Sequence, residues 1–102
     1  MDKQYSLYIV RCSDNTYYTG MTSDLDKRIE RHNSGEKDTW SKYTKGRQPV
    51  VLVFSFPGIK SIRAAYIGEN YIKALTAKRK EKLISGDEKA VGLLRKQLTG
   101  GS

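Results

Sequence analysis

The sequence predicts an α+β domain in which a small antiparallel sheet is covered by helices. Three observations carry that expectation. A tyrosine-rich segment, a turn cluster and a second short segment read as a hairpin near the N-terminus. An apolar run of strand length stands in the middle of the chain. Between and after these lie four stretches of helical periodicity, most of them behind capping residues, so the order is β-β-α-β-α-α-α.

"YSLYIVRC" (5–12) is rich in aromatic and β-branched residues and reads as the first strand. "SDNT" is a turn, and "YYTGMT" (17–22) is the returning strand. Loop length decides the site. A two-residue Asp14-Asn15 loop pairs Ser13 with Thr16 and sends Tyr8 and Tyr18 to opposite faces, because side chains alternate with period two. A three-residue loop, with Asn15 or Thr16 in a left-handed bulge, is expected instead. It should pair Cys12 with Tyr18 and give Tyr8 and Tyr18 one face.

Thr22 or Ser23 is expected to cap the first helix, with Asp24 and Asp26 in its first turn and its end after Asn33. Residues 34–48 read as a polar, basic loop holding Trp40. "PVVLVFSF" (49–56) is continuously apolar, which suggests a strand covered on both faces at the centre of the sheet, punctuated by "PG". Ser61 caps a helix to about Leu75, Thr76 a shorter one over 77–84, and "DEKAVGLLRKQL" (87–98) is the terminal helix. Residues 1–98 are expected to form a single domain, with 99–102 a frayed or artificial end.

A chain of 102 residues holds one core and little else. With 37% hydrophobic and 29% charged residues it reads as globular, with no apolar run of bilayer length and no signal-like N-terminus. The single cysteine, Cys12, makes no internal disulfide, which suits an intracellular, reducing setting. The net charge of +8 favours polyanions, nucleic acid before an anionic membrane surface. It is clustered: "KYTKGR" carries Lys42, Lys45 and Arg47, and "KALTAKRKEK" carries Lys73, Lys78, Arg79, Lys80 and Lys82. Tyrosines accompany these charges, which favours phosphate contact over a merely solubilising surface.

At about 100° per residue from Leu25, Ile29 falls near roughly +40°, His32 near −20° and Arg28 near −60°. Arg28 and the only histidine thus edge the apolar stripe. Either alone is what a snorkelling arginine or a space-filling histidine looks like. Together, beside Tyr18 and Gly20, they read as a site. In the second long helix Ala65, Tyr66, Glu69, Ile72 and Lys73 fall within roughly 80° of Ile62. A carboxylate on that side must be paired, hydrogen-bonded or metal-bound, and a Glu69–Lys73 pair is the plain alternative. Gly68 costs up to about 1 kcal/mol in a helix, which hints at close packing of another element.

No Cys/His zinc spacing, P-loop, dinucleotide fingerprint or nucleophile elbow occurs. Two tyrosines, an arginine, a histidine and one carboxylate on a basic domain suit metal-assisted phosphodiester hydrolysis. The arginine offsets transition-state charge, and a lone carboxylate suits Mg²⁺, which keeps most of its waters.

The segments "SLYIVRC", "YYTGMTSDLDKRIERHNSG", "KYTKGRQPVVLV" and "AAYIGENYIKAL" together resemble the GIY-YIG nuclease domain, from Tyr5 to about Ile84. The likeness is greatest to small single-domain members and to catalytic subunits that cut branched DNA. The first motif falls on Ser6-Leu7-Tyr8 or Leu7-Tyr8-Ile9, without its glycine, and the second on Tyr18-Thr19-Gly20. The distal asparagine of some members has no equivalent.

The resemblance implies a three-stranded antiparallel sheet flanked by helices and one Mg²⁺ or Mn²⁺ on Glu69. It implies Tyr8 as general base with or without His32, Tyr18 orienting the nucleophile or phosphate, and Arg28 on the scissile phosphate. Tyr43 takes a loop position where members place a phosphate-contacting group; Lys42, Lys45, Arg47 and Lys73 are further candidates for nucleic-acid contact. The expected function is a metal-dependent DNA endonuclease with a DNA-repair setting. Branched or nicked DNA is a candidate substrate, and a partner protein or self-association supplies specificity. The alternatives are a binding module with little activity and a partner-activated interaction domain.

Overall fold

In the computed structural model, which describes residues 3–34 and 46–99, strand β1 (Tyr5–Arg11) carries four consecutive buried residues, Leu7 to Val10. A strand buries successive side chains only when both of its faces are covered, so β1 is the centre of the sheet. Strands β2 (Tyr17–Thr22) and β3 (Val51–Ile59) flank it, both antiparallel, in the order β2-β1-β3.

The expectation that the apolar run 49–56 is central is therefore corrected. β3 is an edge strand, with Val51 and Leu52 exposed. It also runs through Pro57 and Gly58 to Ile59 rather than stopping at them. Proline lacks the N–H that a central ladder needs and is tolerated on an edge, a signal already present in the sequence. The register against β1 slips twice, between Tyr5 and Leu7 and between Ile9 and Val10.

The β1–β2 turn has the expected three-residue loop and left-handed Asn15, at φ 66°. The closing pair is a correction: Cys12 meets Thr16, not Tyr18, with Cys12 N–H donating to Thr16 O at 2.8 Å. Asp14 fixes the turn by accepting from the Thr16 N–H at 3.1 Å and hydroxyl at 2.6 Å. Either pairing displaces the register by an even number of residues, so the expected consequence holds. Tyr18 stands opposite Val10, and Gly20 opposite Tyr8, on one face.

Helix α1 (Leu25–Ser34) covers that face through Leu25 and Ile29. Its cap is Asp24 rather than Thr22 or Ser23: Asp24 Oδ1 accepts from Lys27 N–H at 3.2 Å, and Thr22 Oγ1 steadies Asp24 by accepting from its N–H. Helices α2 (Ile62–Lys73), α3 (Ala77–Ile84) and α4 (Glu88–Leu98) cover the other face around Leu7, Ile9, Ala65, Ile72, Leu83 and Leu94. Ser61, Thr76 and Asp87 cap them as side-chain acceptors. Thr99, expected in the frayed end, instead forms the C-cap of α4.

The buried stripe of α2 is Ala65, Gly68 and Ile72; Tyr66, expected inward, is 53% exposed. Gly68 explains the shift in phase. A Cβ there would stand 2.6 Å from Leu7 Cδ1 and 2.7 Å from Leu98 Cδ2, so α2 approaches β1 and α4 through its glycine. Among the described residues, no helix is long and apolar enough to cross a membrane.

Among the described residues, one buried side-chain group is unsatisfied. Thr19 Oγ1 has no hydrogen-bond partner among the described residues. Thr19→Val keeps the shape and removes the orphan hydroxyl, so we expect a gain of about 1 kcal/mol in urea unfolding. A loss of stability would mean that the hydroxyl is solvated after all.

Candidate active site

Tyr8 crosses β2 over Gly20 because nothing stands in its way: a Cβ on Gly20 would lie 2.4 Å from the Tyr8 hydroxyl and 2.5 Å from Cζ. Gly20 is thus no turn; it is a mid-strand clearance. The Tyr8 hydroxyl reaches Nε2 of His32 on α1 at 3.0 Å, and its O–H donates when that nitrogen is unprotonated. Tyr18 completes a three-ring cluster, its centroid 6.3 Å from that of Tyr8 and 5.3 Å from that of His32.

Burial sorts these groups. Tyr8 and His32 are 0% exposed, whereas Tyr18 and Arg28 are half-buried and present the cluster outward. The wheel put His32 at the stripe's edge; the fold buries it completely.

Electrostatics links the remaining candidates. Burial pushes the Tyr8 phenol well above its ordinary pKa, the neighbouring Tyr18 adds to this, and Arg28 pulls back through charge and hydrogen bonding. Tyr18 is also raised, first by burial and then by the Glu69 carboxylate, again opposed by Arg28. Both phenols are neutral at pH 7. The stability tied to that neutrality is present below about pH 10 and lost as pH rises further, because the unfolded chain ionises first.

Glu69 reaches the tyrosines from α2, its side chain 15% exposed and its Oε1 3.7 Å from Lys73 Nζ. The expected i,i+4 pair therefore exists, with Lys73 half in solvent. Among the described residues, no cluster of three or more His, Cys, Asp or Glu forms a ready-made metal cage. One carboxylate with access to water still fits a hard ion that retains most of its hydration shell.

The fold brings Tyr8, Tyr18, Arg28, His32 and Glu69 together. It gives Arg47 a different neighbour, Asp14 of the β1–β2 turn, with Nε donating to Oδ2 at 3.0 Å. Lys42, Tyr43, Lys45 and Trp40 lie outside the described residues.

Two positioning residues escaped the sequence reading. Asn33 clamps both backbone groups of Val50, donating from Nδ2 at 3.2 Å and accepting at Oδ1 at 2.7 Å. Gln48 Nε2 donates to the His32 carbonyl at 3.0 Å. Together they tie the start of β3 to the helix end that carries His32. Nothing local announces an amide that recognises a distant backbone.

Residues 4–82 match the family model described as the GIY-YIG catalytic domain. The UPF0213 protein YazA of Bacillus subtilis (strain 168) is 46% identical over 74 residues, which are 72% of this chain and 71% of that one. The UPF0213 protein CPE1444 of Clostridium perfringens is 47% identical over 79 residues, 78% and 81% of the two chains. The solution NMR structure of the UPF0213 protein BH0048 from Bacillus halodurans superposes with a TM-score of 0.52 at 37% identity. That match covers 82% of this chain and 85% of the other.

Proposed function

The chain belongs to the GIY-YIG catalytic-domain family, and on that premise we propose that it is a metal-dependent endonuclease hydrolysing phosphodiester bonds in DNA. The observation that carries this reading is the convergence of Tyr8, Tyr18, Arg28, His32 and Glu69, drawn from β1, β2, α1 and α2.

Arg28 binds the scissile phosphate and offsets the charge that grows in the transition state. Tyr18, the more exposed phenol, orients the phosphate or the attacking water. Glu69 is the residue that would hold a single Mg²⁺ or Mn²⁺, whose chemistry when bound is Lewis-acid polarisation of the phosphodiester. A neutral phenol is no base by itself. Tyr8 takes a proton from the attacking water as it passes its own to His32 Nε2, 3.0 Å away. Lys42, Tyr43 and Lys45 are assigned to flanking phosphates; Arg47 and Lys73 contribute less, because each already faces a carboxylate.

Full burial of Tyr8 and His32 favours a second reading, a nucleic-acid-binding module that cuts little until DNA or a partner protein opens the site. Tyr8→Phe separates the two. As general base, Tyr8 is worth about 10²–10⁴ in cleavage rate. As a buried structural pair, its loss costs about 1 kcal/mol of stability through the lost hydrogen bond to His32 and leaves cleavage within about tenfold. The assay is nicking of plasmid and of duplex, flap and junction DNA, with Mg²⁺, Mn²⁺ or EDTA. Wild type that cuts nothing, or cuts equally in EDTA, overturns the nuclease reading.

A further inference from the structure

We propose that the groove between the end of α2, α3 and the start of α4 holds a single-stranded segment of nucleic acid, with a base on its apolar floor and phosphates on Arg79, Lys82 and Lys89. This deepens the nuclease reading by naming a substrate class, DNA with an unpaired arm, and rests on that reading only for the link to cleavage.

The floor is formed by Tyr71, Leu75 and Leu93, of which Leu93 is 52% exposed. The rim carries Arg79 and Lys82 from α3 and Lys89 from α4. None of these cations has an ion-pair partner among the described residues. Asp87 also lines the groove, but its Oδ1 accepts from Lys89 N–H at 2.9 Å and Ala90 N–H at 3.2 Å, so the positive end of α4 engages its charge. The net character is an aromatic and aliphatic hollow with a cationic edge.

Shape and chemistry select the ligand. A duplex presents its phosphates on a convex cylinder and keeps its bases stacked inside, so it has nothing to lay on an apolar floor. An unpaired nucleotide has a flat face for Tyr71 and Leu93 and a backbone flexible enough to reach the rim. An acidic amphipathic peptide shares the charge and the apolarity. The aromatic floor, and a rim on which Arg79, Lys82 and Lys89 stand against Asp87, whose carboxylate is already held by backbone N–H groups, favour the polyanion with π-faces. Helix α2 carries both Glu69 and Tyr71, two residues apart and so on different sides of the helix, which makes the groove a surface separate from the candidate site.

The test is fluorescence anisotropy in EDTA with labelled oligothymidylate of roughly 12 nucleotides, within the range one small domain covers, and a duplex of equal length. Arg79→Glu with Lys82→Glu should weaken single-strand binding by more than about tenfold. It should also flatten the log–log salt slope by roughly 1.4, at about 0.7 per phosphate. Duplex binding should change by less than about twofold. Leu93→Ser alters no charge and should weaken single-strand binding about threefold or more, which a purely electrostatic surface would not do. Unchanged single-strand binding in the double variant overturns the proposal, as does an equal loss on single strand and duplex. So does binding of an acidic, leucine-rich peptide by wild type alone while single-strand binding is unaffected. If wild type cuts no DNA with either metal, the nuclease reading fails while the anisotropy result stands. If the groove variants bind normally, Glu69-dependent cleavage stands and the groove assignment falls.

Discussion

Glu69→Gln is expected to reduce metal-dependent cleavage by about 10³-fold or more and to leave the fold nearly unchanged. Glutamine keeps the volume of a side chain that is only 15% exposed, so packing around α2 is preserved. What disappears is the negative charge that Glu69 sets beside the two phenols. Its structural value is small: the pair with Lys73 is an i,i+4 contact at 3.7 Å, worth a few tenths of a kcal/mol. Its catalytic value is large, because Lewis-acid stabilisation contributes several kcal/mol and each 1.36 kcal/mol is about a decade in rate. A second readout guards against misfolding. Glu69 helps to raise the pKa of Tyr18, so the variant should ionise Tyr18 at lower pH in a spectrophotometric titration while melting close to wild type. Cleavage within about twofold of wild type would remove Glu69 from the site.

Gly20→Ala is expected to damage stability and cleavage together. An alanine Cβ would stand 2.4 Å from the Tyr8 hydroxyl, 2.5 Å from Cζ and 2.9 Å from Cε1. Tyr8 is fully buried and held by His32, so the ring has no free space to enter. Overpacking of this kind costs about 1–3 kcal/mol, against the modest gain that alanine normally brings to a strand. The displaced hydroxyl should cost about 10²-fold in rate, the usual penalty for a misplacement near 1 Å. Adding Tyr8→Phe removes the atom nearest the clash, so the double variant should be more stable than the sum of its single changes. Chemical denaturation and plasmid nicking measure both effects. A stabilised Gly20→Ala protein, or one that cuts like wild type, would refute the clearance role.

Much of the candidate site is legible in the sequence. Local signals sufficed for the bulged turn, where Asn15 takes a left-handed φ of 66°, and for the caps Ser61 and Thr76; Asp87, expected as the first residue of the terminal helix, is its cap. Periodicity put Arg28 and His32 beside the apolar stripe of α1. On α2 it placed Ala65 and Ile72 correctly but misplaced Tyr66, which a wheel weighs as apolar; the close packing hinted at by Gly68 is real, and the glycine is where the helix touches the core. Continuous hydrophobicity likewise misled for β3. A run of apolar residues states how much surface is available to bury, not which neighbours will cover it.

The sequence by itself determined the element order, the caps of α2 and α3, the shared face of Tyr8 and Tyr18 and the residue types of the candidate site. These follow from turn chemistry, capping and period, which act over a few neighbouring residues. Only the tertiary structure decided that β1 is central, that Tyr8 and His32 are sealed from solvent at 3.0 Å from each other, and that Gly20 makes room for the phenol. It also decided that Asn33 and Gln48 tie β3 to the end of α1. Those are contacts between segments far apart in the chain. Their geometry depends on how two cores pack against opposite faces of one sheet, and no local pattern encodes it.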